Sequence, residues 1–360
     1  MLRRFSLRAV VVVGVSAAIH MLDASSAALA APPGIKQEFL FASAPFSECH
    51  AATIAETPDG LAAAWFGGTE EGHADVGIWL SRRVDGAWTV PVEIADGRQA
   101  DGARQPTWNP VLFQVSGGPL RLYYKAGPSP RAWWGMAMHS TDGGRTWSRP
   151  QRLPEGVIGP VKNKPVVLGN GDLLAGSSTE HDGWRVHFER SVDGGASWVA
   201  QPPVHDGVAI GAIQPSLLLH GGERLQAIGR TRQGRLFVCW SEDAGRTWGP
   251  LSLSGFPNPN SGSDAVTLAD GRHLLVSNPV ERGRSPLTVA VSRDGLDWTK
   301  ALVLEDEPGA EFSYPAVIQG SDGKVHVAYT WKRARIRHAE LDLADLAKSS
   351  LVEGDPALRP

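Results

Sequence analysis

A chain of 360 residues exceeds what one small core needs, which leaves two domains or one large closed all-β architecture. The 41 Gly, 26 Pro and 13 Trp, set against 4 Met, suit many short strands and tight turns better than long helices. A formal net charge of -3 supplies no basic field, so nucleic acid and anionic membrane are excluded as natural partners.

The chain opens with an export pattern. Arg3, Arg4 and Arg8 form a positive start, Ala9 to Ile19 an apolar run, and Ala28-Leu29-Ala30 a small-residue cleavage site. That run is too short to span a bilayer comfortably and no longer one follows. Residues 1–30 are therefore read as a signal peptide, and the protein as periplasmic or secreted, with no membrane span. Arg3-Arg4-Phe5 has a faint twin-arginine look, but the Sec route is the simpler expectation. Residues 31–360 are expected to form a single domain, because no linker or composition break interrupts 36–345.

Along that domain one unit recurs. A polar opening, an apolar strand, a turn rich in Gly with Asp or Asn, and a second strand appear at Glu48 to Phe66, Thr107 to Tyr124, Lys162 to Ala175, Gln214 to Ile228, Ser263 to Ser277 and Tyr314 to Thr330. Between them lies S-x-D-x-G-x-[ST]-W, complete at Ser140 to Trp147, Ser191 to Trp198 and Ser241 to Trp248, and weaker at Ser81 to Trp88 and Ser292 to Trp298. Successive Trp residues stand 50 or 51 positions apart, 59 for the first interval, a blade-sized period. In this hairpin Asp accepts bonds from its own turn, Gly supplies positive φ, and Trp packs on the neighbouring sheet. Six hairpins predict an all-β, six-bladed β-propeller of four-stranded antiparallel blades. The last unit has no such turn, so its outer strand is expected from the region Gln37 to Ala42. Leu341 to Leu351 is expected to form a short helix, and Cys49 and Cys239, in the first and fourth units, to stay as thiols.

In a propeller the innermost strands open on one end of a central channel, so their leading residues share a face. These include Glu48 and His50, Asn109, Lys162 with Asn163 and Lys164, Gln214, Asn260 with Asp264, and Glu311 with Tyr314. Returning strands add Glu70, Glu71, Glu180, Arg230, Arg282, Arg284 and Arg333. A solvated channel rim accounts for many of these polar groups without chemistry. The histidines show neither HxH nor HExxH spacing and no Gly-rich phosphate loop follows a strand, so neither catalytic zinc nor nucleotide is expected. No cofactor is expected.

The repeated turn is the Asp-box, and with it nearly the whole of residues 31–360 resembles the sialidase (neuraminidase) superfamily. The resemblance implies an arginine triad on a substrate carboxylate, a tyrosine nucleophile assisted by glutamate, and a carboxyl acid on the loop after the first hairpin. By position Arg230 matches the second arginine, Arg282 or Arg284 the third, Tyr314 the tyrosine, and Glu70 or Glu71 the acid. Two positions depart from the pattern: Ser47-Glu48-Cys49-His50 stands where the first arginine belongs, and Gln214 where the glutamate belongs. The chain thus resembles a divergent bacterial branch, with Tyr314, Glu70, Glu71, Glu48 and His50 as catalytic candidates. Arg230, Arg282, Arg284, Lys164, Asn109, Gln214, Asp264 and Arg333 are the candidates for binding substrate. The implied function is exo-hydrolysis of a terminal acidic sugar from a glycan by a monomer. Two alternatives stand beside it: a lyase acting on uronate glycans, and a noncatalytic glycan-binding propeller.

Overall fold

The computed structural model describes residues 35–344 and Leu346. The proposed export signal at 1–30 lies outside the described residues. Blade 1 comprises Glu48–Thr57, Gly60–Gly68 and Gly77–Val84, with Ala87–Trp88 and Val92–Ala95 sharing its outer edge. Blade 2 comprises Thr107–Gln114, Leu120–Ala126, Trp134–Ser140 and Gln151–Arg152. Blade 3 comprises Val166–Val167, Leu173–Thr179, Arg185–Ser191 and Val199–Ala200. Blade 4 comprises Ala212–Leu219, Leu225–Thr231, Arg235–Ser241 and Ser252–Pro257. Blade 5 comprises Asp264–Thr267, His273–Ser277, Leu287–Ser292 and Thr299–Glu305. Blade 6 comprises Phe312–Gln319, Val325–Trp331 and Arg335–Leu341, and takes its outer strand from Ile35–Phe39, paired antiparallel from Ile35 against Leu341 to Phe39 against Arg337. The expected N-terminal closure is therefore present. Of the tail, the Leu346 amide donates to the Asp342 carbonyl in a helical turn, and Leu346 is buried in the core.

Why these strands pack into a ring follows from the two-residue side-chain period. In Gly60–Gly68, Ala62, Ala64 and Phe66 face blade 2, while Leu61, Ala63 and Trp65 face blade 6. A strand buried on both faces reads as an unbroken apolar run, which is how the inner hairpins look in sequence. The same division gives apolar layers between blades 2 and 3 around Tyr123 and Trp198, and between 3 and 4 around Phe188 and Phe237. Further layers join 4 and 5 around Leu236 and Trp298, and 5 and 6 around Phe312 and Tyr329. Six such layers close the circle, so distant stretches of chain share one axis.

The Asp-box turns rivet adjacent blades. Asp142, Asp193 and Asp243 each accept the hydroxyl of the Thr or Ser four residues on and that residue's amide, and each pairs with the Ser two residues before, at 2.6 to 2.9 Å. The turn then docks on the preceding blade: the Tyr123 hydroxyl donates to the Gly195 carbonyl at 2.7 Å, and the Trp248 ring stacks on Phe188 at 3.7 Å. Gly195, at φ 79, tolerates no side chain, since a Cβ there would lie 2.2 Å from the Tyr123 oxygen. Ser81 instead donates to the Thr89 carbonyl, so the first, incomplete copy makes no Asp-centred turn.

Strand order puts the box turns at one end of each blade and the openings of the inner strands at the other. That second end carries a repeated irregularity. Ala51, Asn109, Lys162, Gln214, Asn260 and Tyr314, one per blade, have φ between 42 and 69. In blades 1, 2, 4 and 6 the register breaks there, between His50 and Thr53, Trp108 and Val111, Ile213 and Ser216, and Ser313 and Ala316. Left-handed backbone at a non-glycine residue costs about 1 kcal/mol each. Such bulges bend the strand and re-aim a side chain at the channel mouth.

Candidate functional site

Tyr314 is the centre of this mouth. It is 8% exposed, and its ring lies 4.1 Å, centroid to centroid, from that of His50. Three cations surround it: the Arg230 guanidinium at 5.2 Å, that of Arg284 at 5.6 Å and the Lys162 ammonium at 6.0 Å from the ring centre. Gly262 permits this packing, for a Cβ there would press to 3.1 Å on both the tyrosine ring and the Lys162 side chain.

Glu311 ties Arg284 to a fourth cation, Arg333. Its Oε1 accepts from Arg284 at 2.6 Å, Arg333 Nε at 3.1 Å and the Ser313 hydroxyl at 2.7 Å, with His50 Nδ1 at 3.9 Å. Burial pushes the pKa of this carboxyl up, but Arg284, Ser313 and Arg333 outweigh it and hold Glu311 ionised, its pKa below the ordinary glutamate value. Arg333 also pairs with Glu71, which leans in from the loop of blade 1. His50 is forced the other way: burial first, then Arg333, Arg284, Arg230 and Lys162, push its pKa well down, so it stands neutral. Its Nδ1 has no hydrogen-bond partner.

Arg230 is 7% exposed and donates to the Asn260 carbonyl at 3.0 Å, while its Nε is unpartnered. Its far side faces Trp184 at 5.1 Å. Gln214 is buried, its backbone N–H donating to Ser178 Oγ at 3.2 Å, and its side-chain Oε1 is also unpartnered. Buried polar atoms left open in this way are uncommon in folded proteins, and each calls for a partner such as a water or a ligand.

The structure thus brings together Tyr314, His50, Arg230, Arg284, Arg333 and Glu71, with Gln214 and Asn109 buried at the bulges of the same mouth. It does not bring in Arg282, which is exposed and without a partner among the described residues. Glu70 is exposed and Glu48 half-buried, both likewise without side-chain partners. Lys164 and Asp264 are bonded to each other: the ammonium lies 3.1 and 3.0 Å from the two carboxylate oxygens. Asp264 further accepts from Ser216 and the Val317 amide, so this pair laces blades 3, 4, 5 and 6 across the channel. Lys162 crosses in the same way to the carbonyls of Ser263 and Pro315, and burial pushes its pKa down to about 7. The channel below the mouth is therefore braced by lysines.

An arginine of blade 6 stands beside the blade 1 segment that offers none. Arg333 sits in the turn between the second and third strands of blade 6, and its carbonyl accepts the Cys49 amide at 2.7 Å, beside the departing Ser47-Glu48-Cys49-His50 segment. Glu311 is a rim residue in the sequence but not one of its catalytic or binding candidates, since nothing local marks a carboxylate as the hub of two arginines. The bulges did leave a signal: Asn109-Pro110, Gln214-Pro215 and Tyr314-Pro315 put proline, which cannot donate to a ladder, inside a central strand. Cys49 and Cys239 are free and buried. Among the described residues no group of three or more His, Cys, Asp or Glu is placed to hold a metal ion, and no helix is long and apolar enough to cross a membrane.

A six-bladed ring riveted by Asp boxes, with an arginine-ringed tyrosine at its mouth, defines a sialidase-like propeller. The particular family follows from residues 59–327, which match the BNR repeat-like domain: the chain belongs to that family, within the sialidase superfamily. A sialidase of Bacteroides fragilis strain YCH46 is 24% identical over 323 residues, covering 77% of this chain and 57% of that protein, so the chain spans little more than half the relative's length. The intramolecular trans-sialidase of Ruminococcus gnavus, solved with oseltamivir carboxylate, has a TM-score of 0.71 at 12% identity, covering 86% of this chain and 98% of that one. A protein of unknown function from Dyadobacter fermentans has a TM-score of 0.70 at 19% identity, over 86% of this chain and 100% of the other. At such identities the likeness to solved structures is one of fold.

Proposed function

We propose that the protein is an exo-acting glycoside hydrolase of the sialidase type, removing a terminal acidic sugar from a glycan. The observation that carries the reading is Tyr314, set at the mouth with Arg230 and Arg284 facing its ring and Arg333 joined to Arg284 through Glu311. A carboxylate-bearing sugar would lay its anion on these guanidinium forks, whose planar donors suit a carboxylate, and present its anomeric carbon to the tyrosine oxygen. The test is release of free sugar from sialyl-oligosaccharides and from acidic glycans of other kinds by the purified protein. Release of nothing from any of them sinks the reading, and tight binding without release leaves a glycan-binding propeller.

A second reading, elimination from a uronate glycan, is favoured by His50. A neutral imidazole with an open Nδ1, packed on the tyrosine, is a fit base for the proton next to a clamped carboxylate, and Gln214 denies Tyr314 a carboxylate helper. The ultraviolet absorbance of the conjugated double bond in the product separates elimination from hydrolysis. Export by residues 1–30 and a monomeric state complete the proposal. They are checked by the N-terminal residue of the protein recovered outside the cytoplasm and by light scattering.

A further inference from the structure

Tyr314 owes its aim to a bend that its own strand does not hold. Its φ of 49 is left-handed, while the proline that follows biases it toward extended backbone. The register passes from Ser313 against Thr330 straight to Ala316 against Ala328, so Tyr314 and Pro315 stand outside the ladder. Backbone bent in this way persists only where its surroundings fix it. The Pro315 carbonyl, left without a strand partner, accepts instead from the Lys162 ammonium of blade 3.

Lys162 is 2% exposed, and its Nζ meets two further acceptors, Asn163 Oδ1 at 2.9 Å and the Ser263 carbonyl at 2.8 Å. Asn163 Nδ2 in turn donates to the Gln214 carbonyl at 3.0 Å. Lys162, Gln214 and Tyr314 are the left-handed residues of blades 3, 4 and 6, so this lysine and its neighbour tie three such positions together. None of the three oxygens at Nζ can donate, and three bonds to them take three protons, whereas a neutral amine carries two. The arrangement is therefore complete only around the charged lysine. We propose that Lys162 is a positioning residue of this site, whose ammonium fixes the bend that aims Tyr314 and whose loss of a proton slackens it.

That proton lies within reach of ordinary pH. Burial lowers the Lys162 pKa to about 7; Asp264 of blade 5 opposes the shift, and Lys164 and Arg230 add to it. Tyr314 of blade 6 faces the ammonium at 6.0 Å, and the neutral His50 of blade 1 brings no charge of its own. As pH rises through that value, two N–H groups remain for three buried oxygens, and one oxygen is left unmet. Lys164 differs in kind, for its Nζ bonds Asp264 and the Ala265 carbonyl and makes no bond to the Tyr314 segment.

For its effect on turnover this role rests on the hydrolase reading, and a spectroscopic readout separates the two. Carbon NMR of protein carrying isotope-labelled tyrosine, enriched at the ring carbon that bears the oxygen, gives signals for Tyr123, Tyr124, Tyr314 and Tyr329. Tyr314→Phe identifies the one that matters. In wild type that signal should make a small step with its midpoint near pH 7, far smaller than ionisation of the phenol itself would give. The step should be absent from Lys162→Arg, whose guanidinium stays charged. In Asn163→Ala, which keeps the lysine but removes one acceptor of its charged form, it should move to lower pH. On sialyl-lactose, wild-type kcat should fall across the same step. Lys162→Met should lose roughly 10²-fold in kcat with little change in KM, and Lys162→Arg should recover part of that loss and show no such fall. The wild-type step and Asn163→Ala need no altered lysine to fold. No step in wild type, a step that persists in Lys162→Arg or stays unmoved in Asn163→Ala, or normal kcat in folded Lys162→Met overturns the role of Lys162. Wild type inactive on every glycan tried, with the step present, overturns the hydrolase reading and leaves the hold of Lys162 on Tyr314 supported.

Discussion

The box turns and the channel mouth, at opposite ends of the same blades, use similar residues to opposite effect. At the box end the turn's own aspartate and serine are met, although the Trp147, Trp198 and Trp248 indoles packed beneath are not: Asp243 takes two amides and two hydroxyls, and its neighbour Ser241 takes the Gly245 amide at 2.8 Å. At the mouth the backbone is bent into left-handed conformations, and His50 Nδ1, Gln214 Oε1 and Arg230 Nε are buried without partners. A saturated network serves the architecture, whereas open valences at a strained rim are where a ligand has something to gain. The Lys164–Asp264 pair behaves like the box end although it lies in the channel, because both charges are fully met.

The contrast can be broken by substitution. Tyr314→Phe should cut turnover by about 10³-fold or more while leaving the denaturant midpoint almost unmoved, as expected for an oxygen that works on substrate rather than on the fold. Kinetics and urea unfolding on one preparation check it; a large stability loss with normal turnover would move Tyr314 to the architecture. Lys164→Met, which strands the buried Asp264 charge, should destabilise by about 3–5 kcal/mol, with turnover of the remaining folded molecules near normal. Arg230→Lys keeps the charge but loses the fork, and a fall in kcat/KM of roughly 10- to 100-fold is expected. Asp243→Ala should lower stability by about 1–2 kcal/mol through the lost turn bonds, without changing kcat/KM.

The mildest probe is pH. Hydrogen bonds from Thr247, Ser241 and Arg246 outweigh slight burial and hold the Asp243 pKa at about 2; bonds from Ser197, Ser191 and Ala196 do the same for Asp193 against burial. A depressed folded-state value means that these carboxylates stabilise the fold above the unfolded aspartate value, about 4, and lose that contribution as pH falls toward 2. The midpoint of thermal unfolding should therefore drop across that window, and drop less in Asp243→Asn. An unchanged slope in that variant would show that the acid sensitivity comes from elsewhere, such as the neutral, buried His50.

Much of the fold could be read in advance because its signals are local. A box repeated every 50 or so residues, an apolar run and a turn each depend on neighbours in the chain, and together they count the blades. The rim as a set could be anticipated for the same reason, since each inner strand must open at the mouth. What could not be read was how rim residues pair. Lys164 and Asp264 look in sequence like any other channel polar groups, and they become a brace because inner strands of neighbouring blades approach closely enough for the charges to meet.

The sequence alone therefore decided the repeat, the number of blades and the end of the channel where polar side chains collect, since these arise from periodic short-range chemistry. Only the tertiary structure decided that Arg333 comes to the place where the first blade offers no arginine. It also decided that Glu311 gathers two guanidinium groups. Those relations join residues from different blades, and electrostatic energy depends on distance in space, which closing the ring determines.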